Sequence, residues 1–168
     1  EEVCATQRGW ERRYPSTDQT EVLVAIRALA TKLGNAQIDT VYFVDRDPQV
    51  VITFTREGRH RLTLGNRHVH SETGYTVESP TVTHAGDPFH HPTDVSVSAD
   101  GHIYVSDGYG NSCVHKYSPD GRHLMCWGTT GTDPGQFNIP HNIATDDEGW
   151  VYVADRENHR VQVFDGNG

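Results

Sequence analysis

The side chains best able to do chemistry in this sequence are its eleven histidines and three cysteines, with a tyrosine and an arginine set in unusual turns. Cys4, Cys113 and Cys126 are odd in number, so at most one intrachain disulfide can form. None belongs to a C-x-x-C pair, which argues against a thiolate metal site or a haem attachment. Cys113 and Cys126 fall on what read as consecutive strands. They pair if their faces match; otherwise all three are free thiols. Five histidines (His68, His70, His84, His90, His91) crowd one loop-like stretch, whereas His141 follows Ile139-Pro140 at the start of a strand. Tyr109 lies in Asp107-Gly108-Tyr109-Gly110-Asn111, and Arg156 in Asp155-Arg156-Glu157-Asn158. Each has an ordinary reading. His141 can bond backbone at a strand start, Tyr109 can pack in a turn, and Arg156 can pair with an acidic neighbour. The step from Asp107 to Asn111 is one residue longer than that from Asp155 to Asn158, which marks the Tyr109 loop as a local expansion.

What must position these residues is a repeat. Pro92-Thr93-Asp94-Val95 leads through Asp100-Gly101 to Ile103-Tyr104-Val105-Ser106-Asp107 and then Val114-His115-Lys116-Tyr117. Forty-eight residues on, Pro140-His141-Asn142-Ile143 leads through Glu148-Gly149 to Val151-Tyr152-Val153-Ala154-Asp155 and Val161-Gln162-Val163-Phe164. An earlier copy runs Val41-Tyr42-Phe43-Val44-Asp45, Val50-Val51-Ile52-Thr53-Phe54 and Glu57-Gly58. Short β-branched and aromatic runs between Asp-Gly and Glu-Gly turns are antiparallel hairpins. A period of this length with four short strands is that of a propeller blade. The fullest blade is expected near 94–98, 102–106, 113–118 and 122–127, and the last, from about 141 to 165, lacks its outer strand. Asp45, Asp107 and Asp155 recur at one position and are expected to hold the turn after each second strand by accepting backbone amides.

The expected fold is therefore all-β, an incomplete NHL-type β-propeller of about two and a half blades, where closed propellers have four to eight. It occupies 38–168, with a long functional or mobile loop at 66–90. Residues 1–37 form a separate N-terminal segment. There Ser16-Thr17-Asp18 offers a helix cap and apolar residues at 22, 26, 29 and 33 line one face, which predicts a helix over 18–33. An open stack of blades leaves sheet edges bare, so a second copy, a second chain or further sequence is expected to complete it. The balance of 14 basic against 23 acidic residues, a formal charge of −9, excludes nucleic acid and anionic membrane as main partners.

Beyond the generic repeat, Pro92 to Gly168 resembles the peptidylglycine amidating lyase family. The resemblance rests on Val105-Ser106-Asp107-Gly108-Tyr109-Gly110-Asn111-Ser112, Trp127-Gly128, Pro134-Gly135-Gln136-Phe137, Ile139-Pro140-His141 and Val153-Ala154-Asp155-Arg156-Glu157-Asn158. It implies a six-bladed parent with zinc over the central channel. It implies cleavage of a C-terminal α-hydroxyglycine to a peptide amide and glyoxylate. It makes His141 a zinc ligand, which would lower the pKa of the substrate hydroxyl. Tyr109 becomes the base for that hydroxyl and Arg156 the partner of the substrate carboxylate. Arg46, in Val44-Asp45-Arg46, resembles a second substrate-binding arginine.

The sequence departs from the family where the first zinc histidine should stand, since residues 30–38 contain none; the third would belong to a blade beyond Gly168. Three readings follow. One is a lyase-like enzyme or a fragment of one, competent only when the other blades are supplied. Another is a non-catalytic NHL module that binds a peptide or protein. The third, a calcium-dependent lactonase-like propeller, lacks a matching Glu/Asn/Asp ligand set, which leaves calcium as a candidate structural ion only.

Overall fold

Alternating β-branched and aromatic runs broken by Asp-Gly turns fold as short antiparallel strands. The computed structural model describes residues 2–5, 40–45, 50–55 and 59–168. The helix expected over 18–33 and the site residue Arg46 lie outside these described residues.

Three sheets form the blades. In the first, β1 (Glu2–Ala5), β2 (Thr40–Asp45), β3 (Val50–Thr55) and β4 (His60–Leu64) lie side by side, with β1 parallel to β2 and the rest antiparallel. The second is a fully antiparallel meander of β5 (Pro92–Val97), β6 (Ile103–Asp107), β7 (Cys113–Tyr117) and β8 (His123–Trp127). After a small parallel pair, β9 (Thr129–Thr130) with β10 (Gln136–Phe137), comes the third sheet. It contains β11 (Pro140–Thr145), β12 (Val151–Asp155) and β13 (Arg160–Phe164), with a 3-10 turn at Arg156–Asn158 between the last two. The strand boundaries of the second and third blades match the repeat grammar, including the missing outer strand of the third.

Two apolar layers hold the blades face to face. Val44, Val51, Leu64, Phe89, Val95, Ile103, Val105 and Tyr117 fill the space between the first and second. Tyr104, Val114, Phe137, Ile143, Val151 and Val153 fill that between the second and third. Phe89 and Phe137 are wholly buried, each worth roughly 1.5–3 kcal/mol relative to exposure.

Phe89 belongs to the long loop, which is accordingly anchored on the blades. Thr73, also buried, donates its hydroxyl to the Gly110 carbonyl at 2.6 Å.

The innermost strands β5 and β11 are laced by side chains. The Thr93 hydroxyl donates to the Pro140 carbonyl at 2.8 Å and the Thr145 hydroxyl to the Val97 carbonyl at 2.9 Å. Cys113 on β7 and Cys126 on β8 are diagonal neighbours, with His115 opposite Cys126, and both are free thiols.

Candidate functional site

The site is built where the second and third blades begin. Ile139, just before Pro140, is held at φ 57°, and His91, just before Pro92, at φ 63°. A positive φ is rare for any residue with a side chain and most costly for a β-branched one. The recurrent aspartates supply what holds it. Asp155 accepts the Asn138 N–H at 2.7 Å, and Asp107 accepts the His90 N–H at 2.7 Å. Asn158 and Asn111 steady those carboxylates, each donating its side-chain amide at 2.8 Å. Asp107 and Asp155 thus bond backbone amides as expected, but at the entrance of the blade rather than in the turn that follows the second strand; the side chain of Asp45 lies outside the described residues. The turn's own asparagine engages the same carboxylate and leaves it aimed across the sheet.

Glycines bring the Tyr109 loop to the same place. A Cβ on Gly108 would stand 2.2 Å from the Pro140 carbonyl oxygen, and one on Gly110 2.5 Å from the His90 ring. With no side chain at either position, the backbone presses between the two blade entrances and carries Tyr109 onto β11.

Three of the four residues singled out in the sequence meet there. The Tyr109 hydroxyl lies 2.9 Å from His141 Nε2, with the rings edge to face at 5.5 Å. The Arg156 guanidinium lies over the tyrosine ring, 5.6 Å from its centre, with Nη1 3.5 Å from the hydroxyl. Its Nε donates to Glu157 at 2.8 Å.

Two residues that the sequence reading passed over complete the group. His141 Nδ1 is 2.9 Å from Asn142 Oδ1, and Asn142 Nδ2 donates to Asp94 Oδ2 at 3.1 Å. Asp94 accepts from the Asn142 amide group, so the Asn142 oxygen faces the imidazole and the Nδ1 proton points to it. That tautomer leaves the Nε2 lone pair for the Tyr109 proton. A relay runs from Asp94 on β5 through Asn142, His141 and Tyr109 to Arg156. Asp94 is 4% exposed and also accepts the Ile143 N–H at 3.2 Å. The usable signal was positional: Asp94 and Asn142 stand at the same place in consecutive repeats.

Beside this group the loop histidines stack. His70 and His90 lie 4.4 Å apart and nearly parallel, His90 and His91 5.2 Å apart. Burial, then the neighbouring charges of His70 and His91, lower the pKa of His90, so its ring favours the neutral form. Neither these rings nor His141 falls in a group of three metal-ligating side chains among the described residues.

Parts of the chain are similar to known proteins. The NHL repeat model matches residues 89–117 and 137–164. Over 127 residues the chain is 37% identical to peptidyl-glycine alpha-amidating monooxygenase B of Xenopus laevis, a match covering 67% of this chain and 14% of the relative. It is 36% identical over 89 residues to peptidyl-alpha-hydroxyglycine alpha-amidating lyase 1 of Drosophila melanogaster, covering 48% of this chain and 16% of the relative. Human NHL repeat-containing protein 3 is 46% identical over 79 residues, 46% of this chain and 23% of that protein. The chain thus spans a small part of the relatives it matches. Among solved structures, an auxiliary nutrient binding protein from Bacteroides thetaiotaomicron superposes with a TM-score of 0.51 at 19% identity, over 73% of this chain and 33% of that one. That likeness concerns the fold alone.

Proposed function

Starting from an NHL-repeat β-propeller chain similar over part of its length to amidating enzymes, we propose that it forms the Tyr109–His141–Arg156 face of an amidating-lyase-like propeller. Its ligand would be a peptide ending in α-hydroxyglycine. The observation that carries this is the relay itself, which sets a phenol, an imidazole and a guanidinium within one substrate's reach.

The chemistry follows from the side chains. With Nε committed to Glu157, the Nη1–Nη2 edge of Arg156 is what a terminal carboxylate would meet, in the planar two-point pairing arginine favours. The substrate hydroxyl would lie at Tyr109. As the phenol oxygen takes the hydroxyl proton, His141 Nε2 takes the phenol proton, with the imidazolium steadied through Asn142 by Asp94. Electrons from the O–H bond form the glyoxylate C=O, the C–N bond breaks, and the departing amide nitrogen is protonated by the same relay.

A catalytic zinc needs three protein ligands and an open position. The described residues alone do not fit one: His141 has the lone pair a ligand needs, yet no two further ligands stand with it. That observation favours a second reading, an NHL module that binds such peptides without cleaving them. Trp150, Val161 and Val163 are exposed on the third blade; a second copy or a second chain completing the propeller would cover them.

Calorimetric titration separates these readings. An α-hydroxyglycine-terminated peptide should bind at least ~10-fold more tightly than its amide product, and Arg156→Gln should abolish the difference. Glyoxylate release that falls in Tyr109→Phe while binding persists would establish the lyase. Selective binding without glyoxylate supports the module. Equal affinity for the two peptides sinks both.

A further inference from the structure

Away from the Tyr109 face, on the outer strands of the second blade, Asp87, His115 and His123 bring three donor atoms together. Asp87 Oδ1 lies 3.1 Å from His115 Nδ1 and 3.3 Å from His123 Nε2, and the two nitrogens lie 3.4 Å apart. Zinc bonds imidazole nitrogen and carboxylate oxygen at about 2.0–2.1 Å in tetrahedral geometry. Multiplying that bond length by the edge-to-radius ratio of a tetrahedron gives donor separations of about 3.3–3.4 Å. The observed triangle is within a few tenths of an ångström of one face of that tetrahedron.

The three donors are held by structure that does not depend on an ion. His115, on β7, is fully buried, and its Nε2 lies 3.3 Å from Asp107 Oδ2. A carboxylate on the far nitrogen is the arrangement that orients metal-binding histidines and raises their basicity. Asp87 is fixed on both sides. Gly86 exchanges two hydrogen bonds with the Asn111 side chain, and Phe89 is buried edge-on against the His115 ring at 4.9 Å. His123, on β8, packs its ring against Tyr117. Asp87 and His123 are 50% and 32% exposed, so an ion can enter and a water can take the fourth position.

We propose that Asp87, His115 and His123 form a zinc site that fastens the long 66–91 loop to the outer strands of the second blade. It shares no ligand with His141 and stands or falls independently of the proposed lyase face. Cys113 Sγ lies 3.3 Å from the other His115 nitrogen, Nε2, and with Cys126 forms a second group of donors around His115, which the cobalt spectrum distinguishes from the Asp87 triangle.

Zinc chloride, titrated against a chromophoric chelator, tests this on the whole chain. Wild type and His141→Ala should each bind zinc at this site, and His123→Gln and Asp87→Asn should weaken it at least 10-fold. Zinc should raise the melting temperature of wild type and slow proteolysis within 66–86, and do neither in His123→Gln. Both substituted residues are partly exposed, so melting without zinc checks that the variants fold. Cobalt in place of zinc should give tetrahedral absorption without a sulfur charge-transfer band. Zinc binding unchanged in His123→Gln, no binding in wild type, or a sulfur–cobalt band would each overturn the assignment. Zinc lost only in His141→Ala would instead place the metal at the lyase face.

Discussion

Replacing Asp155 should be costly, because one carboxylate holds the entrance of the third blade together. It is fully buried and accepts from Asn138 N–H at 2.7 Å, Asn158 at 2.8 Å, Arg160 Nε at 2.8 Å and Gln162 at 3.2 Å. Asp155→Ala strands these donors, at about 1–3 kcal/mol for each that stays buried. Arg160 is 28% exposed and keeps bonds to the Thr132, Asp133 and Gln136 carbonyls, so its share lies at the low end. The expected total is about 3–5 kcal/mol, as for removing one partner of a buried ion pair. At about 2–4 °C per kcal/mol for a chain of this size, melting should fall by roughly 6–20 °C. Asp155→Asn keeps an acceptor for Asn138 but turns an amide toward Arg160, so it should fall between. Exposed Asp147→Ala should stay within about 0.5 kcal/mol of wild type. Scanning calorimetry decides it: a loss under about 1 kcal/mol in Asp155→Ala would refute the claim that this carboxylate holds the blade entrance.

Gly108→Ala should cost about 1–3 kcal/mol by driving a methyl into the Pro140 carbonyl, and should abolish peptide discrimination along with the Tyr109 contact; urea melts and titration read the two effects. Asp94→Ala should lower stability by about 1–3 kcal/mol and raise the KM or Kd of the carboxylate peptide, because the buried Ile143 N–H and the exposed Asn142 amide lose their acceptor. Asp100, bonded first by Ser98 and then by His102, has its carboxyl lowered to about 2. Its stabilisation is present above the ordinary value of about 3.8 and is lost as pH falls toward 2. Solvent screening keeps it small, so Asp100→Asn should flatten the acid limb of a pH–melting curve only slightly. Half-exposed Cys126 should react with iodoacetamide well before buried Cys113, with peptide mapping as the readout.

The blades were legible because their signal is local and repeated: Ile103–Asp107 and Val151–Asp155 share one pattern, and their turns carry the residues that hairpins demand. The loop was harder. Its length suggested a functional or mobile loop, and its anchoring by the buried Phe89 and Thr73 was not foreseen, since a single aromatic anchor leaves no periodicity to read. His115 and His123 drew no attention in the sequence because they are separated by a turn. They meet only because the β7–β8 register brings His123 opposite Tyr117, on the His115 side of the strand. Asp87 joins them from a loop whose path no spacing rule describes.

Why Tyr109 and His141 could be paired from sequence, while the relay behind them could not, follows from how a propeller is assembled. Motif residues recur at fixed places in a blade, so two of them fall on the same rim whatever lies between. Asp94 acts across the interface: it sits on β5, and the Asn142 and Ile143 it orients sit on β11 of the next blade. The phenol–imidazole pair therefore requires two adjoining blades, both of which this chain contains. A zinc with ligands from three blades around the channel is a property of closure instead. Completing the propeller should accordingly change metal affinity at His141 far more than the Tyr109–His141 contact. In zinc-free buffer, ultraviolet difference spectra of Tyr109, compared between the isolated chain and an assembled form, should stay the same, while zinc added to the assembled form binds more tightly and displaces the phenol proton from His141 Nε2; a tyrosine signal that changes with assembly alone would mean the pair is not formed by these two blades alone.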